Sequence, residues 1–186
     1  ILTAAANAGR KVAFVTAKDK LRAFLSDGLD GIAFSSEKAD EARTETHGID
    51  DVEALVGRSQ PEIYGADASL FVLDAGVALI ASGRADFCYL SLTDWVQHAF
   101  APTEPEALAF MAAIDERIGA MLDLGAVVAA TADHGMNAKA NADGTPRVVF
   151  IESAINEAFG DGAKVICPIT DPYVAHHGAL GSAVTI

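Results

Sequence analysis

The chain has 186 residues, 51% of them hydrophobic and 21% charged, which is ordinary for a folded domain with a real core and excludes general disorder. A formal net charge of −13 argues against nucleic acid as a partner but leaves a small anionic substrate open, because a divalent ion bound by acids reverses the local field. No apolar run reaches membrane-spanning length, and Cys88 and Cys167 lie far apart in strand-like runs, as buried free thiols rather than a disulfide framework.

The opening ILTAAANAG is a short helical pattern closed by Gly9. Residues 11–17 (KVAFVTA) read as a strand, followed at once by Lys18, Asp19 and Lys20. If the backbone stays extended there, the two lysines project to one side and can grip one anion. If a helix starts immediately, they do not face together and read as solvated surface. Residues 27–60 change character, carrying the polar run SSEKADEARTETHGIDD, and read as an insert or exposed excursion in which His47 is solvated.

An apolar patch within residues 61–79 suggests a helix packed on a sheet, and residues 87–92 (FCYLSL) a short strand. That strand runs into Asp94 and His98, four residues apart and so on one face of a helical turn. The spacing suits two ligands of one metal ion; an aspartate capping a helix with an exposed histidine below it is the plain alternative. Residues 105–124 form the clearest helix, with Pro105 at a first helical position, acids around it and Gly125 at its close. Its expected buried stripe is Leu108, Met111, Ile114, Ile118, Met121 and Leu122.

The chemistry gathers at residues 126–139 (AVVAATADHGMNAK), an apolar run that reads as a buried parallel strand and stops at Asp133-His134-Gly135. A carboxylate and an imidazole at the end of a buried strand are costly unless paired or metal-bound. Further on, residues 141–146 read as a loop, 147–153 as a strand, 154–159 as a short helix and 164–169 as a strand demoted by Pro168, before His176 and His177. The alternation predicts an α/β fold with an open, mostly parallel sheet flanked by helices. Ligands of such sheets collect at the carboxyl ends of strands, where Asp94, Asp133, His134 and His177 fall.

Two aspartates and two or three histidines, with no cysteine among them, suit zinc or a related ion. Five ligands overfill one four-coordinate zinc and fall short of the roughly six protein ligands that two ions with open positions want. The expectation is that part of the site lies upstream of Ile1.

The stretches DWVQH (94–98), ADHGMNAK (132–139) and HHGALGS (176–182), in this order and spacing, resemble the alkaline phosphatase superfamily. Together with TAKDKLR (16–22) they make the chain similar to the phosphonoacetate hydrolase family within it. The resemblance implies a single metallohydrolase core domain over residues 1–186, incomplete at both ends, with two zinc ions. Asp94, His98 and His177 would hold one ion, with His176 the alternative to His177. Asp133 and His134 would hold the other, with an aspartate and the nucleophilic threonine upstream of Ile1, so that no catalytic nucleophile lies in this chain. Lys18 and Lys20 would pair with the carboxylate of phosphonoacetate, cleaved at its carbon–phosphorus bond to acetate and phosphate. The 186 residues alone are then expected to be inactive. The further expectations are a cytoplasmic protein that can form a homodimer and, from the charge and the apolar runs, no nucleic-acid or membrane partner. Rival readings are a nucleotide pyrophosphatase/phosphodiesterase or phosphatase of the superfamily, which needs no paired lysines, and a metal-binding module without turnover.

Overall fold

Residues 1–132, 135, 137–138, 140–166 and 186 are described by the computed structural model. The chain forms two compact units, Ile1–Thr131 and Ala132–Ile186. In the first, after the short helix α1 (Leu2–Asn7), the chain runs through β1 (Val12–Thr16), α2 (Asp19–Leu25) and β2 (Ile32–Ser35). A 3-10 turn (Ala39–Glu41) and the short helices α3 (Thr44–His47) and α4 (Val52–Val56) lead to α5 (Ala66–Ala81). Then follow β3 (Phe87–Ser91), α6 (Trp95–Ala99) and α7 (Pro105–Asp123).

The three strands pair in parallel in the order β2-β1-β3. Thr16 stands level with Ser35 on one side and with Ser91 on the other, so all three strands end at one edge. Parallel neighbours need crossovers long enough to hold helices, and the chain supplies α2 in the first and α3 to α5 in the second. The fold is thus the α/β arrangement expected, a parallel sheet flanked by helices.

Every residue of β1 is buried, as its unbroken apolar run requires of a central parallel strand. The period of two sends Ala13, Val15 and Ala17 into one cluster with Phe34 and with Ala68, Phe71, Val72, Ala75 and Leu79 of α5. The α5 positions recur every three to four residues, one stripe of a helix. Each large apolar side chain buried there stabilises the fold by about 1.5–3 kcal/mol. Gly76 permits the approach, since a Cβ there would stand 2.4 Å from Leu90 Cδ1 of β3.

Asp74 ties α5 to its neighbours. Its carboxylate accepts from Arg117 Nε of α7 at 2.6 Å and from Arg58 at 2.8 Å, while Arg58 also reaches Asp67 at 2.8 Å. Along α7 the buried residues are Ala107, Phe110 and Met121, with Leu108, Met111 and Leu122 exposed, so the expected stripe is rotated. Val96, Trp95 and Leu70 select the face, giving Phe110 and Ala107 the inner seats. The apolar pattern alone was wide enough to admit either rotation.

Other expectations are corrected. Residues 27–60 contain β2, and Phe34, Ala39, Ala42, Ile49 and Val52 are buried. His47 is half-buried rather than solvated, its Nδ1 accepting from the Arg43 amide at 3.2 Å. Desolvation, with the Arg22 charge acting the same way, lowers its pKa. Cys88 is a free thiol but only half-buried. Residues 126–132 are not a strand, and Val127 is fully exposed. An apolar run of this kind becomes a strand only by pairing with a sheet edge.

In the second unit, α8 (Ile151–Phe159) begins earlier than predicted and takes in the end of the expected 147–153 strand. Asn156 ends it, its Oδ1 accepting from the amides of Gly162 (3.1 Å) and Ala163 (2.9 Å). Glu152 accepts from the Val165 amide at 2.9 Å. The 141–146 loop is a tight turn closed by Asn141 N–H to the Thr145 carbonyl at 2.8 Å.

Candidate functional site

Because the three strands end level, the segments leaving them emerge side by side, and two carry expected site residues. The Ala17 amide donates to the Ser91 carbonyl at 2.9 Å, joining the start of the lysine turn to the end of β3. Three residues beyond Ser91, Asp94 occupies the N-cap of α6.

Asp94 does not cap that helix with its side chain. Its Oδ2 lies 2.9 Å from His98 Nε2, one turn along, and the two side chains are 53% and 49% exposed. The pair thus opens to solvent with an oxygen and an imidazole nitrogen converging. Ligands of a tetrahedral zinc at about 2.0 Å are about 3.3 Å apart, so this pair could admit an ion by opening slightly. The donor set, carboxylate and neutral imidazole, is one that zinc accepts. Among the described residues no group of three potential ligands forms. Asp133, His134 and His177, as well as His176 and Cys167, lie outside the described residues.

The turn before Asp94 is held from α5. The Ser69 hydroxyl, fully buried, accepts from the Thr93 amide at 3.0 Å and donates to the Thr93 carbonyl at 3.2 Å. A buried hydroxyl is tolerated only when so satisfied.

At the other turn the helix starts at once. Lys18 is the extended N-cap of α2 and Lys20 its second residue, so the extended arrangement that would project both to one side does not apply, and by spacing alone the pair reads as solvated surface. Both are exposed. Lys18 Nζ stands 5.5 Å from the centre of the Tyr64 ring, within cation–π reach. Between them Asp19 turns inward, accepting from Arg22 Nε at 2.5 Å and from Ser35 Oγ at 3.1 Å. The Arg22 hydrogen bond holds the Asp19 carboxyl below its ordinary pKa, so the acid between the lysines is ionised and already partnered.

Sequence reasoning passed over Ser35, Ser36, Glu37 and Ser69. Their signal was faint: hydroxyls closing the short apolar run IAF, and one serine inside the apolar stripe of α5.

Among the described residues no helix is long and apolar enough to cross a membrane. The chain is similar over its full length to phosphonoacetate hydrolase from Sinorhizobium meliloti 1021, with 50% identity and a TM-score of 0.81. Crystal structures of that enzyme in complex with phosphonoacetate and with phosphonoformate match equally. The chain spans about half, 46%, of the length of that enzyme. Residues 38–173 match the family described as type I phosphodiesterase / nucleotide pyrophosphatase, and the chain belongs to that family.

Proposed function

We propose that the protein hydrolyses the carbon–phosphorus bond of phosphonoacetate, with zinc as cofactor, giving acetate and phosphate. The observation that carries this reading is the 50% identity, over the whole chain, to an enzyme crystallised with phosphonoacetate. The emergence of the Lys18 turn and the Asp94–His98 pair at one edge of the sheet supports it.

Asp94 and His98 would hold one zinc with His177, and Asp133 and His134 would contribute to a second. Zinc so bound supplies positive charge for the phosphoryl oxygens and lowers the pKa of an oxygen nucleophile. The attacking oxygen belongs, in this reading, to a threonine outside these 186 residues. As the phosphorus–oxygen bond forms, the carbon–phosphorus bond breaks and its electron pair passes to carbon. That charge delocalises into the carboxylate as an enediolate and is quenched by a proton to give acetate. Water then releases the phosphate. Lys18 and Lys20 stand for the carboxylate end, where negative charge is present in the ground state and grows in the transition state. The 186-residue chain alone has no turnover in this reading.

The family match supports a second reading, hydrolysis of a phosphodiester or pyrophosphate. It uses the same aspartates and histidines but places no carboxylate near Lys18. Comparing phosphonoacetate with a nitrophenyl phosphate diester in the full-length protein decides between them. Preferential release of phosphate from phosphonoacetate is expected; turnover of the diester alone overturns the first reading.

A further inference from the structure

The lysine turn is fastened to the end of β2 at successive residues. The Ser36 hydroxyl, fully buried, shares its single proton between the Ala68 carbonyl of α5 at 3.0 Å and the Ala17 carbonyl at 3.3 Å. The Ser35 hydroxyl donates to the Asp19 carboxylate at 3.1 Å. Glu37, half-buried, accepts the Asp19 backbone amide on Oε2 at 2.7 Å. That amide belongs to the first residue of α2, whose N-cap, Lys18, has no side chain able to accept it. Ser35 and Glu37 therefore hold the residue between the two lysines by its side chain and its backbone, and Ser36 holds Ala17 ahead of it.

We propose that Glu37 is a positioning residue for substrate selectivity. Its carboxylate sets where α2 begins, and hence where Lys18, at the N-cap, and Lys20, in the first turn, stand to reach the carboxylate of a phosphonocarboxylate. The inference rests on the reading of those lysines given above. The dependence on substrate would distinguish it from a plain structural cap. A cap stabilises α2 whichever substrate is bound, whereas Glu37 holds a turn whose lysines meet only a substrate with a carboxylate. A charge-assisted bond to an amide is directional, and a small displacement of a binding group is costly at the transition state.

The test uses the full-length zinc-loaded protein, with kcat and KM measured on phosphonoacetate and on nitrophenyl phosphate for the wild type, Lys18→Ala, Lys20→Ala, Glu37→Ala and Glu37→Gln. The expected result is a rise in KM from Glu37→Ala that is about tenfold larger on phosphonoacetate than on nitrophenyl phosphate. Glu37→Gln keeps an oxygen for the Asp19 amide and should recover most of that selectivity. Selective damage by the lysine variants together with equal or no effect of Glu37→Ala on the two substrates overturns the proposal. Should Glu37→Ala fail to fold, Glu37→Leu, which keeps the bulk but accepts no amide, is read in its place. A rise in KM confined to phosphonoacetate supports the role, and parity between substrates overturns it. Lysine variants that show no selectivity overturn the underlying reading instead, and the inference with it.

Discussion

Asp94 Oδ2 and His98 Nε2 meet at 2.9 Å across one helical turn, the carboxylate leaving its own helix N-terminus uncapped to do so. On the two-zinc reading proposed above, replacing either with Ala should remove one of the two zinc equivalents from the full-length protein, or weaken that site more than ~100-fold. Metal analysis after dialysis against a weak chelator checks this. Retention of both equivalents would contradict the assignment.

Lys18→Ala or Lys20→Ala should reduce kcat/KM on phosphonoacetate by about a hundredfold, corresponding to ~2–4 kcal/mol at the transition state. An aryl phosphate leaves with its charge on the ester oxygen and should lose far less. Steady-state kinetics on both substrates tests the point, and equal losses would move the lysines to the phosphoryl end.

Strands β1 and β3 were legible as apolar runs rich in β-branched and aromatic residues, and helices α5 and α7 as long apolar patterns. The Asp94–His98 contact was legible because a four-residue spacing on a helix is geometry rather than context. Strand β2 was not, because four residues between polar runs carry too little pattern, and its burial comes from pairing with β1. Residues 126–132 show the converse: strand-like composition that finds no pairing partner among the described residues is irregular. The rotation of α7 and the clamp from Ser35, Ser36 and Glu37 depend on which surfaces meet, and no local window contains that information.

Asp74 serves two guanidinium groups at once, with Asp74 itself 23%, Arg117 20% and Arg58 31% exposed. Asp74→Ala leaves both cations without their shared acceptor in a partly desolvated place. It should cost about 1–3 kcal/mol in stability, read from the midpoint of urea unfolding. Asp74→Asn, which keeps an oxygen, should cost less.

Burial, reinforced by Asp86, pushes the Cys88 thiol up to about 11. The folded protein thus favours the protonated thiol, and above the ordinary thiol pKa of about 8.5 the unfolded chain binds fewer protons than the folded one. The thiol therefore lowers stability progressively as pH rises from about 8.5 toward about 11. Wild type should lose more stability than Cys88→Ala between pH ~8 and ~10.5. At neutral pH, alkylation mapped to Cys88 should be slower folded than in urea. Matching pH profiles for the two proteins would refute this.

Ala68 and Ser69 are consecutive in α5, and each grips a different turn: the Ala68 carbonyl takes the Ser36 hydroxyl, and Ser69 exchanges two hydrogen bonds with Thr93. One residue of helical rise, about 1.5 Å, therefore acts as a ruler between the β2 end that anchors the lysine turn and the loop that presents Asp94. Both turns are also tied to the sheet, the Ser36 amide donating to the Thr16 carbonyl and the Ala17 amide to the Ser91 carbonyl, each at 2.9 Å. A core substitution that moved α5 against the sheet would therefore strain the lysine turn and the Asp94 loop together, although it touched neither.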